Sequence, residues 1–164
     1  MFTTTELDAA INMVNNKKYS LHQPFTIQIS YSVRDEADFY FFRADKKHYQ
    51  NGVHFWLCCI NWLEDSWIGF QLLMAQRYPG RFRSDVNTGV LRDTYRLCKD
   101  ISPGRFQVII EDYSSQLKSV SIPHMYHWEG QVQRAMQMNE EWNDQSYIAE
   151  TESEFLAFHW ETSA

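Results

Sequence analysis

From Phe25 to Val33 the chain alternates without exception: Phe25, Ile27, Ile29, Tyr31 and Val33 are apolar, and Thr26, Gln28, Ser30 and Ser32 between them are polar. A period of two predicts a strand with one buried and one wet face, a pattern that antiparallel sheets permit. The charged stretch Arg34-Asp35-Glu36-Ala37-Asp38 reads as a turn into a second strand over Phe39–Arg43. Asn51-Gly52 is a hairpin signal, and Val53–Leu63 beyond it is apolar at most positions, which predicts a third, central strand covered on both faces.

Helical spacing shows at the start and in the later part of the chain. Leu7, Ile11 and Val14 share one face of a helix that Thr5 can cap, with Asp8 favourable at its positive end. Glu64-Asp65-Ser66 can cap a helix over Trp67–Tyr78 or turn into a fourth strand, and the run Leu72–Arg77 favours helix. Pro79-Gly80-Arg81-Phe82 recurs as Pro103-Gly104-Arg105-Phe106; each suits a type II turn, and the unmatched flanks argue against a repeat. Leu91–Lys99 reads as a short strand or helical turn, and Arg105–Tyr113, with Val108-Ile109-Ile110, as a strand. Pro123 opens a long helix to about Asn143, on which Met125, Trp128, Val132, Ala135 and Trp142 form an apolar stripe. Tyr147–Ala149 and Glu154–Trp160 close the chain as a hairpin or one interrupted strand. The expected fold is α+β: a mainly antiparallel twisted sheet of five to six strands, packed against the N-terminal helix and the long helix in the C-terminal half.

Composition narrows the class. The 164 residues lie within the range of a single core, and no Ser/Gly linker or charge block divides residues 1–164. Eleven Phe, nine Tyr and six Trp argue against disorder. The longest apolar run, Phe55–Ile60, is far short of the roughly 18–20 residues that span a bilayer, and Met1–Glu6 has neither the basic nor the apolar region of a secretory leader. Cys58 and Cys59 are vicinal and Cys98 is odd, with no C-x-x-C; this is a poor disulfide or zinc framework and suits the reducing cytoplasm, with the pair buried as small core hydrophobes.

Charge is unevenly spread around the total of −6. Residues 77–105 carry seven basic side chains against three acids, a net +4, whereas residues 129–161 carry eight acids against Arg134, a net −7. Such asymmetry steers a partner of opposite sign. The basic stretch has no recognisable nucleic-acid motif and acidic neighbours, which disfavours nucleic acid.

No catalytic motif stands out. Walker and Rossmann glycine patterns are absent, and there is no H-E-x-x-H. His124 and His127, three apart, would share a helix face, but two ligands do not make a metal site, and no metal or other cofactor is expected. His54 and His159 fall in the most hydrophobic segments, as core-edge imidazoles or as pocket acid–base groups. Trp142, between Glu140, Glu141 and Asp144, has the make-up of an interface anchor in an acidic rim, although the stripe would equally place it in the core. The expectation is therefore a small acidic cytoplasmic binding protein, not an enzyme, that docks on and neutralises or regulates a basic protein, as immunity proteins and other inhibitors do. Glu140, Glu141, Trp142, Asp144, Glu150, Glu152 and Glu154 would form its contact surface. The alternative is a small-molecule or enzymatic pocket between sheet and helix, lined by His54, Trp56, His124, His127 and His159.

Overall fold

The chain begins with a capping box. Thr3 Oγ1 accepts from the Glu6 amide at 3.2 Å, and the Glu6 carboxylate accepts from the Thr3 amide at 2.7 Å, which starts helix α1 (Thr4–Asn15) two residues before the expected Thr5 cap. The Thr3 amide, and the Thr3 hydroxyl donating to the same carboxylate at 3.1 Å, hold the Glu6 carboxyl below its usual range. The computed structural model describes residues 1–32, 36–81, 95–116 and 126–163. After α1 come β1 (Thr26–Ser32), β2 (Ala37–Asp45), a 3-10 turn (Lys46–His48), α2 (Gly52–Arg77), β3 (Lys99–Ile101), α3 (Pro103–Gln116), β4 (Arg134–Glu141), β5 (Asp144–Glu150) and β6 (Glu154–Thr162). The six strands form one sheet in the order β1-β2-β6-β5-β4-β3, with every neighbouring pair antiparallel. The expected α+β class, antiparallel sheet and N-terminal helix are all present.

Alternate residues of β6 separate two cores. Phe155 and Ala157 face α1 and α2, where they join Leu7, Phe42, Phe55, Trp56, Met136 and Ile148. Leu156 and Phe158 face the other way, toward Phe106, Ile109 and Ile110 of α3 and toward Tyr126. The sheet is thus covered on both sides, and each fully buried Phe or Leu contributes about 1.5–3 kcal/mol by leaving water.

Three expected elements are corrected. Val53–Leu63 is not a strand but the first part of the 26-residue α2. Asn51 does not turn a hairpin; its Oδ1 accepts from the His54 amide at 3.0 Å and caps the helix. Its residues are apolar on all sides because the helix is buried all round here, a pattern that imitates a two-faced strand; Phe55–Cys59 are fully buried. Arg105–Tyr113 is also helical, because Pro103 occupies a first helical position and Ser102 Oγ accepts from the Arg105 amide at 3.1 Å. The long helix over 123–143 does not form: Arg134–Glu141 is β4, held between β3 and β5. Among the described residues the helices that cover the sheet are α1, α2 and α3. The helix over Trp67–Tyr78 is present within α2, and the closing hairpin is β5–β6. Residues 34–35 of the expected turn, 91–94 of the expected Leu91–Lys99 element and the start of the expected long helix lie outside the described residues, while Ala37 and Asp38, expected in that turn, already belong to β2.

β1 is a strand, as the alternation requires, but at its far end the wet face is the apolar one. Ser30 and Ser32 are buried on the side shared with Phe39, whereas Ile29 and Tyr31 are 55% and 46% exposed.

Candidate functional site

Read across the sheet, three successive rungs on the α1/α2 face change character. Ile27, Phe42, Ala157, Ile148 and Met136 stand side by side on neighbouring strands and are apolar. One step along, the rung is Ile29, Tyr40, His159, Ser146 and Asn139. The next is Tyr31, Asp38, Glu161, Asp144 and Glu141, with carboxylates on four consecutive strands. Over the last two rungs the sheet and Trp62, Leu63 and Glu64 of α2 enclose a cleft of about 530 Å³, closed on one side by Tyr95.

His159, only 1% exposed, is the centre of the cleft. Its Nδ1 shares a hydrogen bond with Ser146 Oγ at 2.7 Å and lies 3.6 Å from Asp144 Oδ1, while Nε2 lies 3.4 Å from Glu161 Oε2. Asn139 Nδ2 donates to Asp144 Oδ1 at 2.8 Å, and the Tyr95 hydroxyl donates to Asp144 Oδ2 at 3.4 Å. The Tyr40 hydroxyl donates to Glu161 Oε1 at 3.4 Å; burial and then the Glu161 and Asp38 carboxylates hold that phenol firmly protonated. Burial, reinforced by the Glu161 charge and opposed by His159, raises the Asp38 carboxyl above the ordinary value.

Asp144, His159 and Glu161 each offer one ligand atom, all within 4.8 Å of one another, and among the described residues no other such trio forms. One imidazole and two carboxylates are a chemically sensible donor set for a divalent cation. The same groups suit an ammonium or guanidinium equally well.

At the edge of the cleft the chain turns from β4 to β5 through Trp142 and Asn143. Asn143 lines the cleft, and the Trp142 indole beside it is 73% exposed, the most exposed large apolar side chain described. It is not part of a core stripe.

The other residues singled out from sequence scatter. Glu141 and Asp144 belong to the acidic rung, and Glu140 lies 3.7 Å from Lys99. Glu150, Glu152 and Glu154 sit at the opposite end of the β5–β6 hairpin. Glu154 is nearly buried: it accepts from Arg43 Nε and Nη2 at 2.9 and 2.6 Å and from the Glu129 amide at 2.7 Å. Glu150 lies 3.0 Å from Lys46 and 3.6 Å from Arg134. Of the alternative pocket, only His159 lines the cleft. His54 is fixed at the start of α2, with Nε2 on the Ser20 carbonyl at 2.7 Å, Nδ1 accepting from the Gln50 amide at 3.3 Å, and its ring stacked on Tyr19. Trp56 is fully buried, and its indole N–H donates to the Tyr95 carbonyl. His127 is exposed outside any helix, so the expected shared helix face is not formed, and His124 lies outside the described residues. Sequence reasoning missed Asp38, Tyr40, Ser146 and Glu161. They lie on three different strands, and only the register brings them together.

Compared with protein-family models, curated proteins and solved structures, the chain matches none. The site therefore rests on its own chemistry.

Proposed function

We propose that the protein is a binding protein whose acidic cleft receives a basic side chain of a protein partner, with Trp142 packing against the partner surface beside it. The observation that carries this reading is the carboxylate rung, Asp38, Glu161, Asp144 and Glu141, ending at an indole that stands in water. Like charges directly opposite each other on neighbouring strands oppose folding, so such a row is better explained by recognition than by stability. An exposed Trp beside charged groups has the make-up of an interface anchor. Tyr40 and Trp62 add aromatic walls suited to a guanidinium or ammonium. By occupying a basic site on its partner the protein would neutralise or regulate it, in the manner of an inhibitor. Three cysteines without a disulfide support a cytoplasmic setting.

The test is affinity capture from the source cell, comparing wild type with Trp142→Ala and Asp38→Asn. A basic protein held by wild type, lost on Trp142→Ala and weakened by raised salt supports the reading, with an expected loss of at least about tenfold in affinity. Equal recovery by wild type and both variants overturns it. Lysine or arginine bound in calorimetry, with no protein retained, would move the reading to a small-molecule cation site in the same cleft.

A further inference from the structure

The two nitrogens of the His159 ring face different groups. Nδ1 meets Ser146 Oγ at 2.7 Å, and Nε2 meets Glu161 Oε2 at 3.4 Å. The ring packs against Tyr40 and Tyr95, whose centroids each lie 5.7 Å from its own. Asp144 reaches it from β5, where it stands opposite Glu161 in the register. Neutral groups orient both carboxylates: Asn139 Nδ2 and the Tyr95 hydroxyl donate to Asp144, and the Tyr40 hydroxyl donates to Glu161. A carboxylate oxygen can accept from more than one group, so such bonds aim an oxygen and are compatible with its ligating a metal.

We propose that Asp144, His159 and Glu161 hold a zinc-class divalent ion at the base of the cleft, with His159 bound through Nε2 and water completing the coordination. What distinguishes the trio from a row of acids is its imidazole, 1% exposed and held at one nitrogen while the other points at a carboxylate. A metal-bound imidazole donates its second N–H to an oxygen acceptor, which fixes the tautomer and aims the lone pair at the ion. Ser146 Oγ, on a fully buried residue, is placed to be that acceptor. Zinc binds nitrogen and carboxylate oxygen at about 2.0–2.2 Å, so two ligands of a tetrahedral ion stand about 3.4 Å apart. His159 Nε2 and Glu161 Oε2 already have that spacing, 3.4 Å. One ligand atom from each of the three residues falls within 4.8 Å of the others. Closing onto an ion therefore asks a movement of about 1 Å from the Asp144 side chain. Magnesium and calcium prefer all-oxygen sites, so the imidazole selects for zinc and its neighbours in the transition series. The carboxylates are those offered to the partner's basic side chain, and ion and side chain would exclude one another; the metal site does not depend on that partner.

Calorimetric titration of the purified, chelator-treated full chain with Zn2+ tests this. Wild type should bind one ion, and Asp144→Asn and Glu161→Gln, which keep the side-chain shape, should each weaken binding at least about tenfold. Mg2+ should bind about 100-fold more weakly or less, and Cys98→Ser should leave the zinc titration unchanged. A second readout needs no variant: in imidazole nitrogen resonance spectra of wild type, zinc should shift His159 before the exposed His22, His48 and His127. No bound zinc at about 1 mM overturns the proposal. So does an affinity that both carboxamide variants keep, one lost in Cys98→Ser, one that Mg2+ equals, or a first shift at an exposed histidine. No partner takes part in these measurements. A chain that binds zinc and captures no protein therefore refutes the docking role and leaves the metal site, and the converse refutes the metal site alone.

Discussion

The β5–β6 hairpin carries acidic side chains at both ends and treats them in opposite ways. At its turn, Glu150 and Glu154 are held by Lys46, Arg134 and Arg43, and Glu154 also accepts a backbone amide. At the open end, Asp144 and Glu161 stand beside each other and beside Asp38, around a buried imidazole. A charge count treats the two groups as equal contributors to a net −7 tail. Geometry separates them: the first fastens β2 and the 126–132 segment to the hairpin, and the second builds a cleft. The lesson is that a charge count does not distinguish carboxylates that fasten the fold from carboxylates that face one another across a cleft.

The comparison breaks most visibly at Arg43. Arg43→Ala leaves Glu154 nearly buried beside no guanidinium, and the expected loss, discounted for the partial exposure of Arg43, is about 2–3 kcal/mol in chemical denaturation. Adding Glu154→Leu should recover part of it. If Arg43→Ala unfolds like wild type, the turn end is not structural. Next, Ser146→Ala removes the hydrogen-bond partner of His159 Nδ1 and should cost about 1–2 kcal/mol; an unchanged denaturation midpoint would mean that Asp144 replaces it.

A smaller effect of opposite sign is expected at Asp38. Its carboxyl is raised by burial and then by Glu161, so the folded state holds this proton more tightly than the unfolded chain. Its contribution to folding is therefore most favourable below the unfolded value and is lost as pH rises through the folded one. At pH 7 the charge opposes folding. Asp38→Asn should raise the thermal midpoint by roughly 1–3 °C at pH 7, with the gain gone near about pH 3; a lowered midpoint at pH 7 would contradict the crowding of charge in the cleft. Smallest of all, Trp142→Ala should stay within about 0.5 kcal/mol of wild type, since the indole is in water.

The strand expected over Phe25–Val33 and the core of the next, Phe39–Arg43, are legible because their patterns are local, whereas the close of the chain read equally as a hairpin or one interrupted strand and forms the hairpin. The two errors differ in cause: Val53–Leu63 is buried on several sides, which removes the period that distinguishes helix from strand, whereas Arg105–Tyr113 keeps a helical spacing, with Phe106, Ile109 and Ile110 inward and Val108 exposed, that the β-forming run Val108-Ile109-Ile110 outweighed. Asn51-Gly52 and Pro103-Gly104 misled because the residues that make good turns also start helices. Ala135–Met138 consists of good helix formers, yet pairing on both flanks with β3 and β5 overrides propensity. Of the site, Asp144, Glu141, Trp142 and His159 could be picked out one at a time. Their assembly with Asp38, Tyr40, Ser146 and Glu161 could not, because register between distant strands leaves no trace in a single sequence.

Burial of the vicinal thiols has a practical consequence. Desolvation pushes Cys58 up to about 11 and raises Cys59 well above the ordinary thiol value, so neither is a nucleophile while α2 is in place. Half-buried Cys98 answers a thiol reagent first. The slower uptake of two further equivalents is then a clock, each tick recording one excursion in which the long helix lifts away from its bed.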